Sequence, residues 1–369
     1  MSRFLVVGYG RVGRAVALDL KSCGHSVEVV DLRSVSDELV DGYHLVDASK
    51  DPHAIARLAR NFDCTCGCLP GKLGYSFMTA CAERGVKLVD VSFMSEDPLT
   101  LDSKARESGS IIVPDCGVAP GLSNMFIGLC SRVMDLIEVA EIIVGGIPRS
   151  PRPPLYHSLS WSAEDLLEEY IRPARYIEDY EVKSCNPLSL KIPFLFKGLE
   201  LEAFPTDGLR TLLRLRKRPR LMRELTVRWK GHLDAVKLLW ELGFLDDSHI
   251  ELQGVKAPIK VLTAKIIERL SSEEDDMIVM EVVVQGLRGG ERVNAQLRVY
   301  GSVAGRANTM AEITGTVCST IALNVAQGLV DDVGVIPPED LKELKVVISK
   351  ILSELKELGL QVEVEGLSL

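Results

Sequence analysis

A glycine-rich turn near the start of the chain constrains the fold more than any other feature. The apolar run Phe4–Val7 leads directly into Gly8, Gly10 and Gly13, which are spaced G-x-G-x-x-G, and an amphipathic helical pattern follows. Between a strand and a helix, the first glycine permits a tight turn, the second lets the backbone approach a pyrophosphate and the third lets the helix pack closely. The amide groups at the start of the helix then favour phosphate. The turn therefore predicts a dinucleotide site with the cofactor-binding residues Gly8, Gly10, Arg11, Val12 and Gly13.

The rest of the first third alternates short apolar runs with helical patterns. Strands are expected at residues 27–31, 43–47, 64–69, 87–91 and 110–114, and helices at 12–20, 51–60, 75–84 and 99–108. Strands that alternate with helices of this length form βαβ units around a parallel sheet. The sequence thus predicts an α/β fold in which residues 1–122 form a Rossmann-type, NAD-binding domain.

The pattern changes after Pro120 and Gly121. Strands are expected at residues 199–204 and 222–229, a hairpin at 277–284 and 295–300, and a helix that starts near Ser162. This mixture predicts that residues 123–305 form an α+β domain for substrate binding and dimerisation. Helices from about residue 306 to 369, the last at 339–358, are expected to pack back on the first domain, because chain ends must dock somewhere.

An acidic residue ends the second predicted strand. Asp31 lies where a carboxylate accepts hydrogen bonds from the adenosine ribose hydroxyls, and it would repel a 2′-phosphate. NAD is therefore the expected cofactor and NADP is less favoured, although Arg33 could soften the preference. Ligands of such sheets collect at the carboxyl ends of the strands. This rule adds the cofactor-binding residues Leu69, Pro70, Asp90 and Gly117.

Composition and charge argue against a nucleic-acid-wrapping protein and against a membrane-spanning one. The net charge of -9 argues against wrapping nucleic acid, and no run reaches the ~18 uncharged apolar residues of a membrane span. Nine cysteines without paired spacing fit a reducing cytoplasm, where we expect the protein to reside. Cys64, Cys66 and Cys68 alternate along a predicted buried strand, so core packing is expected there and no metal site.

The second domain offers several candidates for a substrate pocket. Residues 210–230 hold seven arginines and two lysines, most of them expected on a solvated face, although one or two arginines suffice to clamp a carboxylate. His232 follows a predicted strand and a glycine turn. The stretches around Tyr170 and Arg172 and around Asp207 are further candidates for lining the pocket.

Together these motifs resemble the saccharopine dehydrogenase-like family, especially its lysine 6-dehydrogenase branch. The resemblance spans nearly the whole chain and rests on residues 8–13, 90–93, 115–124, 161–162, 170–174, 207–210, 228–232, 312–315 and 334–338, of which 115–124 is the most specific segment. It implies a homodimer, NAD(P) as cofactor, and a substrate that carries an amino acid head and a terminal amine.

The resemblance implies oxidative deamination of the ε-amine of L-lysine to 2-aminoadipate 6-semialdehyde, which cyclises, with release of ammonia. The ε-amine has a pKa of about 10.4 and must lose a proton before hydride leaves. We expect His232 or Asp115 to accept that proton, Arg172 or Arg228 to clamp the α-carboxylate, and Asp207 to hold the α-ammonium. The alternatives are a saccharopine or carboxynorspermidine dehydrogenase, which reduces an imine, and a non-catalytic regulator that senses NAD.

Overall fold

Two large β-sheets, with helices packed on them, make up the computed structural model of the chain. The structure describes residues 1–34, 37–159, 162–270, 275–305 and 308–368. Its strands are β1 (Arg3–Val7), β2 (Ser26–Asp31), β3 (Gly42–Leu45), β4 (Cys64–Gly67), β5 (Lys87–Asp90), β6 (Ile111–Val113), β7 (Leu136–Pro148), β8 (Ala174–Glu178), β9 (Glu181–Cys185), β10 (Ile192–Phe196), β11 (Leu199–Pro205), β12 (Leu221–Trp229), β13 (His249–Leu252), β14 (Val255–Pro258), β15 (Asp276–Arg288), β16 (Glu291–Gly301), β17 (Gly334–Val335) and β18 (Gln361–Glu365). Its helices are α1 (Arg11–Ser22), α2 (Pro52–Ala59), α3 (Gly71–Ala82), α4 (Asp102–Ser108), α5 (Leu122–Val133), α6 (Ala163–Ile171), α7 (His232–Glu241), α8 (Ile259–Leu270), α9 (Thr309–Ala326) and α10 (Leu344–Glu357).

The first sheet has the order β17-β6-β5-β4-β1-β2-β3, and its strand pairs are parallel. The Rossmann-type parallel sheet predicted from the sequence is therefore confirmed. The chain leaves the sheet at β3 and re-enters at β4, on the other side of β1. This reversal opens a crevice at the carboxyl ends of β1 and β4, which is where open α/β sheets bind their ligands.

Local signals explain the helix boundaries of this domain. Asp51 caps α2 by accepting a 2.7 Å hydrogen bond from the amide of Ala54, and Pro52 is the first helical residue. The helix predicted at 99–108 begins instead as a 3₁₀ turn at Pro98–Leu101, since the Asp97 carboxylate accepts from the amide of Leu99. The α-helical part is α4, which ends at Gly109 in the left-handed region.

The second large sheet is mixed, with the order β10-β11-β12-β7-β15-β16-β18. β12 runs parallel to β7, and the other neighbours on this path are antiparallel. The predicted hairpin is confirmed as β15 and β16, which are longer than expected and joined at Gly289 and Gly290, both at positive φ. The sheet agrees with the predicted α+β class of this region.

The C-terminal segment contributes to both sheets. β17 pairs with β6 in the first sheet, and β18 pairs with β16 in the second. α9 packs against α1 so closely that a Cβ on Gly315 would lie 2.8 Å from the Cβ of Ala15. The last helix was expected at 339–358, but 338–340 is a 3₁₀ turn and α10 starts at Leu344.

One hydrophobic core joins the two sheets. It contains Val6 of β1, Phe126 of α5, Met280 of β15 and Ile321 of α9, all buried. α9 contacts β4 and β5 of the first sheet and β15 of the second, so it is part of the packing between the two sheets. Within the described residues, no helix has the length and apolar character needed to cross a membrane.

Candidate active site

A cleft of about 570 Å³ runs between the carboxyl edge of the first sheet and the second sheet. One end is formed by the glycine turn and Asp31. The opposite end, which we call the acidic end, is formed by Asp115, Glu169, Thr206, Glu224, Thr226 and Arg228. Eight of the ten residues predicted to bind a cofactor line this cleft, namely Gly8, Gly10, Arg11, Val12, Asp31, Leu69, Pro70 and Gly117.

The geometry of the glycine turn suits a dinucleotide. Gly8 has a φ of 93°, and a Cβ there would lie 2.5 Å from the carbonyl oxygen of Cys68. A Cβ on Gly13 would lie 1.9 Å from the carbonyl oxygen of Gly8, so this glycine closes the turn although it does not line the cleft. A Cβ on Gly10 would meet no atom within 4 Å. The space in front of Gly10, at the start of α1, is therefore free for a pyrophosphate.

Asp31 is held at the end of β2 with its carboxylate facing the cleft. It accepts hydrogen bonds of 2.9 Å from the amides of Tyr9 and Arg33. The Arg33 side chain is 83% exposed and its Nε lies 4.0 Å from the Asp31 carboxylate. This end of the cleft therefore carries a hydrogen-bonded carboxylate, with an exposed positive charge beside it.

Asp90 lies beneath the cleft, among the residues that support its wall. It is fully buried, it accepts a 2.8 Å hydrogen bond from the amide of Ser92, and burial raises its pKa to about 7. A Cβ on Gly67 would lie 2.0 Å from an Asp90 oxygen. The side chain thus fixes Ser92, which does line the cleft. Direct contact between Asp90 and a cofactor stays a prediction.

Asp115 sits at the acidic end as half of a buried ion pair. Its Oδ1 lies 3.2 Å from Nε of Arg210, and neither side chain is more than 2% exposed. Arg210 also donates to the carbonyl oxygens of Met94 and Glu96. Burial raises the pKa of Asp115 and the arginine opposes that rise. Both Asp115 and Arg210 have positive φ, a strained conformation that the surrounding contacts must enforce.

The basic stretch 210–230 divides by exposure. Four of its arginines are exposed, as expected, namely Arg214, Arg216, Arg218 and Arg220. Arg210 and Arg228 are buried, so the solvated face does not include these two arginines. Each is paired with a carboxylate of the cleft, and that pairing compensates for the loss of hydration.

Arg228, which is buried, and Glu169, whose side chain is 14% exposed, form the second ion pair of the acidic end. Nη2 of Arg228 lies 2.5 Å from Oε2 of Glu169, and both residues line the cleft. Nη1 of Arg228 donates to the carbonyl oxygen of Val227. Burial raises the pKa of Glu169, and the arginine acts in the opposite direction. The predicted substrate-binding arginine is thus at the cleft, with its charge already matched.

His232 and Tyr170 lie behind the wall of the cleft. Nε2 of His232 is 2.8 Å from the Tyr170 hydroxyl, and Nδ1 is 2.5 Å from the carbonyl oxygen of Leu155. Burial lowers the pKa of His232 to about 3, and the charge of Arg228 adds to this. Neither residue lines the cleft. A neutral imidazole with both nitrogens engaged is placed to orient Tyr170, and a role as proton acceptor stays a prediction.

Asp207 and Arg172 also lie outside the cleft lining. Asp207 accepts two hydrogen bonds, of 2.7 and 2.8 Å, from the Arg175 guanidinium. Arg172 stacks over Phe93, 4.6 Å from the ring centroid, and Phe93 lines the cleft. Among the residues that the structure describes, no carboxylate is ion-paired with Arg172.

Sequence reasoning missed Glu224, Thr206 and Thr226. The Thr206 hydroxyl is 3.0 Å from Oε1 of Glu224 and 2.8 Å from the Thr226 hydroxyl. The signal was present in β12, where Glu224, Thr226 and Arg228 alternate with the apolar Leu225 and Val227. Three polar residues on one face of a buried strand indicate a polar cavity.

The cysteines of β4 take part in packing. Cys64 and Cys66 are fully buried, and Cys68 lines the cleft beside Gly8. In the described part of the chain, no group of three or more His, Cys, Asp or Glu side chains is arranged to hold a metal ion. Of the segment 161–162, Trp161 lies outside the described residues, whereas Ser162 caps α6 by accepting from the amide of Asp165.

Comparison with known proteins agrees with this geometry. The family model for the saccharopine dehydrogenase NADP binding domain matches residues 4–113, and the model for the saccharopine dehydrogenase C-terminal domain matches residues 117–360. The boundary between the two models falls at the Asp115–Gly117 loop, which forms one wall of the acidic end. A pyridine-nucleotide-binding domain is therefore present in the first part of the chain.

Curated relatives and a solved structure match more distantly. The chain is 24% identical over 243 residues to saccharopine dehydrogenase (NADP+, L-glutamate-forming) of Schizosaccharomyces pombe, covering 62% of this chain and 54% of that protein. It is 22% identical over 293 residues to the protein of the same name from Pyricularia oryzae, covering 75% and 65%. These alignments span about half to two thirds of the relatives' length.

The structure of apo saccharopine dehydrogenase (L-Glu forming) from Saccharomyces cerevisiae superposes with a TM-score of 0.78 over 100% of both chains. At 17% sequence identity this likeness shows the fold. The family is shown by the sequence models, since the C-terminal-domain model alone matches residues 117–360 of 369. The chain therefore belongs to the saccharopine dehydrogenase family of oxidoreductases.

Proposed function

We propose that this chain catalyses the NAD-dependent oxidative deamination of the ε-amine of L-lysine, giving 2-aminoadipate 6-semialdehyde and ammonia. The observation that carries the proposal is the charge of the acidic end. Three acidic side chains line it, those of Asp115, Glu169 and Glu224; Asp115 is paired with Arg210 and Glu169 with Arg228. Glu224 has no cationic partner among the described residues, so in its carboxylate form it favours a substrate group that brings a positive charge.

The same charge pattern argues against a substrate with two amino acid heads. Such a substrate carries the carboxylates of both heads and needs a second cationic clamp. Arg210 and Arg228, the buried arginines of this region, are each paired with a carboxylate of the protein. An added carboxylate here would have to compete with Asp115 or Glu169 at close range, and like-charge contact in a buried site is costly.

The sequence also suggests residues that bind the α-carboxylate and the α-ammonium of lysine. Arg172 is the better candidate for the α-carboxylate, because it lies beside Phe93 at the cleft and no carboxylate of the described residues pairs with it. Asp207 is a weaker candidate for the α-ammonium, since its two oxygens are taken up by Arg175.

NAD is the proposed cofactor, with NADP less favoured. The support is the Asp31 carboxylate, which lines the ribose end and would repel a 2′-phosphate. Gly8, Gly10 and the start of α1 would hold the pyrophosphate, and a bound nicotinamide dinucleotide supplies the hydride acceptor. The names of the relatives include NADP+, and Arg33 beside Asp31 is the residue through which this chain could also accept it.

Initial rates with purified protein test the proposal. L-lysine should give NADH and free ammonia in equal amounts, faster with NAD than with NADP. L-norleucine, which has the same chain without the ε-amine, is the matched control and should give no NADH. Turnover of norleucine, or no turnover of lysine with either cofactor, would contradict the proposal.

A second candidate is the reaction in the relatives' names, the oxidation of saccharopine to release L-glutamate. The family membership and the shared fold favour it. It predicts NAD(P)H formation from saccharopine and none from lysine alone, so the same assay separates the two candidates. A homodimer that assembles through residues 123–305, and residence in the cytoplasm, stay predictions, the first of which sedimentation would measure.

A further inference from the structure

We propose that Glu224 is a catalytic residue that binds the reacting ammonium of the substrate and accepts its proton. The inference rests on the proposed function, because it concerns the amine that this reaction oxidises. It assigns to Glu224 the task for which the sequence suggested His232 or Asp115.

One carboxylate oxygen of Glu224 is fixed by a hydrogen bond, and the other has none. Oε1 accepts a 3.0 Å hydrogen bond from the Thr206 hydroxyl, and Thr206 is 2.8 Å from Thr226. Oε2 is buried and has no hydrogen-bond partner among the described residues. The residue is 5% exposed and lines the cleft. A buried carboxylate oxygen without a donor is costly, which indicates that a ligand supplies the donor.

Gly208 makes room for this carboxylate. A Cβ on Gly208 would lie 1.4 Å from Oε2 of Glu224, so a side chain at this position would displace the acid. The absence of a side chain at Gly208 thus accommodates the Glu224 carboxylate, which the sequence alone does not reveal. Asp207 is fixed by Arg175, and Gly208 lets Glu224 occupy the end of the cleft.

The other candidates for the proton are engaged. Asp115 is paired with Arg210, and Glu169 is paired with Arg228. Both nitrogens of His232 have partners, and its pKa of about 3 makes it a poor base. Among the described acids that line the acidic end, Glu224 alone combines a free oxygen with the absence of a cationic partner.

The surroundings of Glu224 shift its pKa into the range in which a carboxylate can act as a proton acceptor. Burial raises its pKa to about 8, the hydrogen bond from Thr206 lowers it, and the negative charges of Glu169 and Asp207 raise it further. Glu169 and Asp207 are themselves paired, with Arg228 and Arg175. In the free protein the carboxylate form therefore predominates only above about pH 8, so kcat/KM should rise with pH through that range.

The proposed step balances. One N–H bond of the ε-ammonium breaks and the proton bonds to Oε2 of Glu224, which leaves a neutral amine with a free electron pair. A bound nicotinamide dinucleotide would supply the two-electron acceptor, so that this pair would form the C=N bond as the ε-carbon lost its hydride to that acceptor. Water then adds to the iminium carbon, ammonium departs, and Glu224 returns its proton to solvent.

Glu224→Gln is the test, because glutamine keeps the shape and the acceptor for Thr206 but cannot take a proton. With lysine and NAD we expect kcat to fall on the order of 10²–10⁴-fold and the rise of kcat/KM near pH 8 to disappear. Glu339→Gln is the matched control. Glu339 is also buried with a free Oε2 and a pKa raised to about 8, yet it does not line the cleft, so kcat should stay within about twofold.

A binding measurement keeps the test independent of turnover. Calorimetry of n-pentylamine with the protein, with and without NADH, should show binding about tenfold weaker or more in Glu224→Gln, whereas pentan-1-ol should bind both proteins alike. Gly208→Ala, which displaces Glu224 without removing it, should weaken amine binding in the same direction.

The outcomes separate the two proposals. Lysine oxidation that survives in Glu224→Gln with its pH profile intact overturns the role of Glu224 and leaves the proposed function standing. No lysine oxidation by the wild type, with amine binding that still depends on Glu224, overturns the proposed function and supports the ammonium site. Absence of both effects overturns both.

Discussion

The two ends of the cleft are built in different ways. The dinucleotide end is shaped by backbone, since a Cβ on Gly8 or Gly13 would lie only 2.5 or 1.9 Å from a carbonyl oxygen, and Gly10 leaves space for a ligand. The acidic end is shaped by side chains from distant segments, such as Asp115 and Arg210, which are 95 positions apart. The first end therefore depends on residue size at fixed positions, and the second depends on charge balance in a buried network.

Loss of a charge at the acidic end should have the largest effect on stability. Arg210→Met leaves the buried Asp115 carboxylate without its cation, and we expect the free energy of unfolding to fall by about 3–5 kcal/mol. Arg214→Met is the matched control, since the Arg214–Asp97 pair is exposed and should contribute at most about 1 kcal/mol. Urea unfolding measures both variants. Equal decreases in the free energy of unfolding would show that burial does not determine how much each ion pair stabilises the fold.

Two alanine substitutions test the dinucleotide end. Gly13→Ala places a Cβ against the carbonyl oxygen of Gly8 and should lower the free energy of unfolding by about 1–3 kcal/mol. Gly10→Ala meets no protein atom and should leave the stability nearly unchanged while it weakens NADH binding. Thermal unfolding and NADH fluorescence titration report the two effects. A stable Gly13→Ala protein that binds NADH normally would contradict this account of the turn.

Removal of the negative charge at the ribose end should change cofactor choice moderately. Asp31→Ser removes the repulsion of a 2′-phosphate and should shift the ratio of kcat/KM for NAD and NADP about tenfold toward NADP. The ratio is measured with one substrate at one pH, so losses common to both cofactors cancel. An unchanged ratio would assign the preference to Arg33 or to other residues of the cleft.

Replacement of His232 should have the smallest effect on catalysis. Its pKa of about 3 keeps the imidazole neutral at working pH, so His232→Gln should leave the rise of kcat/KM near pH 8 in place. A variant whose pH profile loses that rise would return His232 to the role of base.

The same histidine should affect stability at acid pH. The unfolded chain takes up a proton at its ordinary pKa of 6.5, whereas the folded chain resists protonation until about pH 3. The wild type should therefore lose stability as the pH falls below about 6.5, and His232→Gln should lose less over the same range. Urea unfolding at several pH values measures the difference.

The features that could be predicted from the sequence are those that depend on residues adjacent in the chain. The glycine turn, the end of β2 at Asp31, the cap of α2 and the hairpin of β15 and β16 were each predicted from a few adjacent positions. Glu224 escaped prediction because its partner Thr206 is 18 positions away and the cavity forms only when α6, β11 and β12 meet. His232 was chosen for its residue type, yet its contact with Tyr170 spans 62 positions and turns it away from the cleft.

The proposed function requires that hydride leaves the ε-carbon of lysine. L-lysine with both hydrogens on that carbon replaced by deuterium is incubated with NAD and the protein, and mass spectrometry of the cofactor then detects the transfer. We expect NADH that carries one deuterium, with ammonia released in equal amount. Unlabelled NADH, or labelled NADH that forms only when the lysine is supplied within saccharopine, would contradict the proposed function.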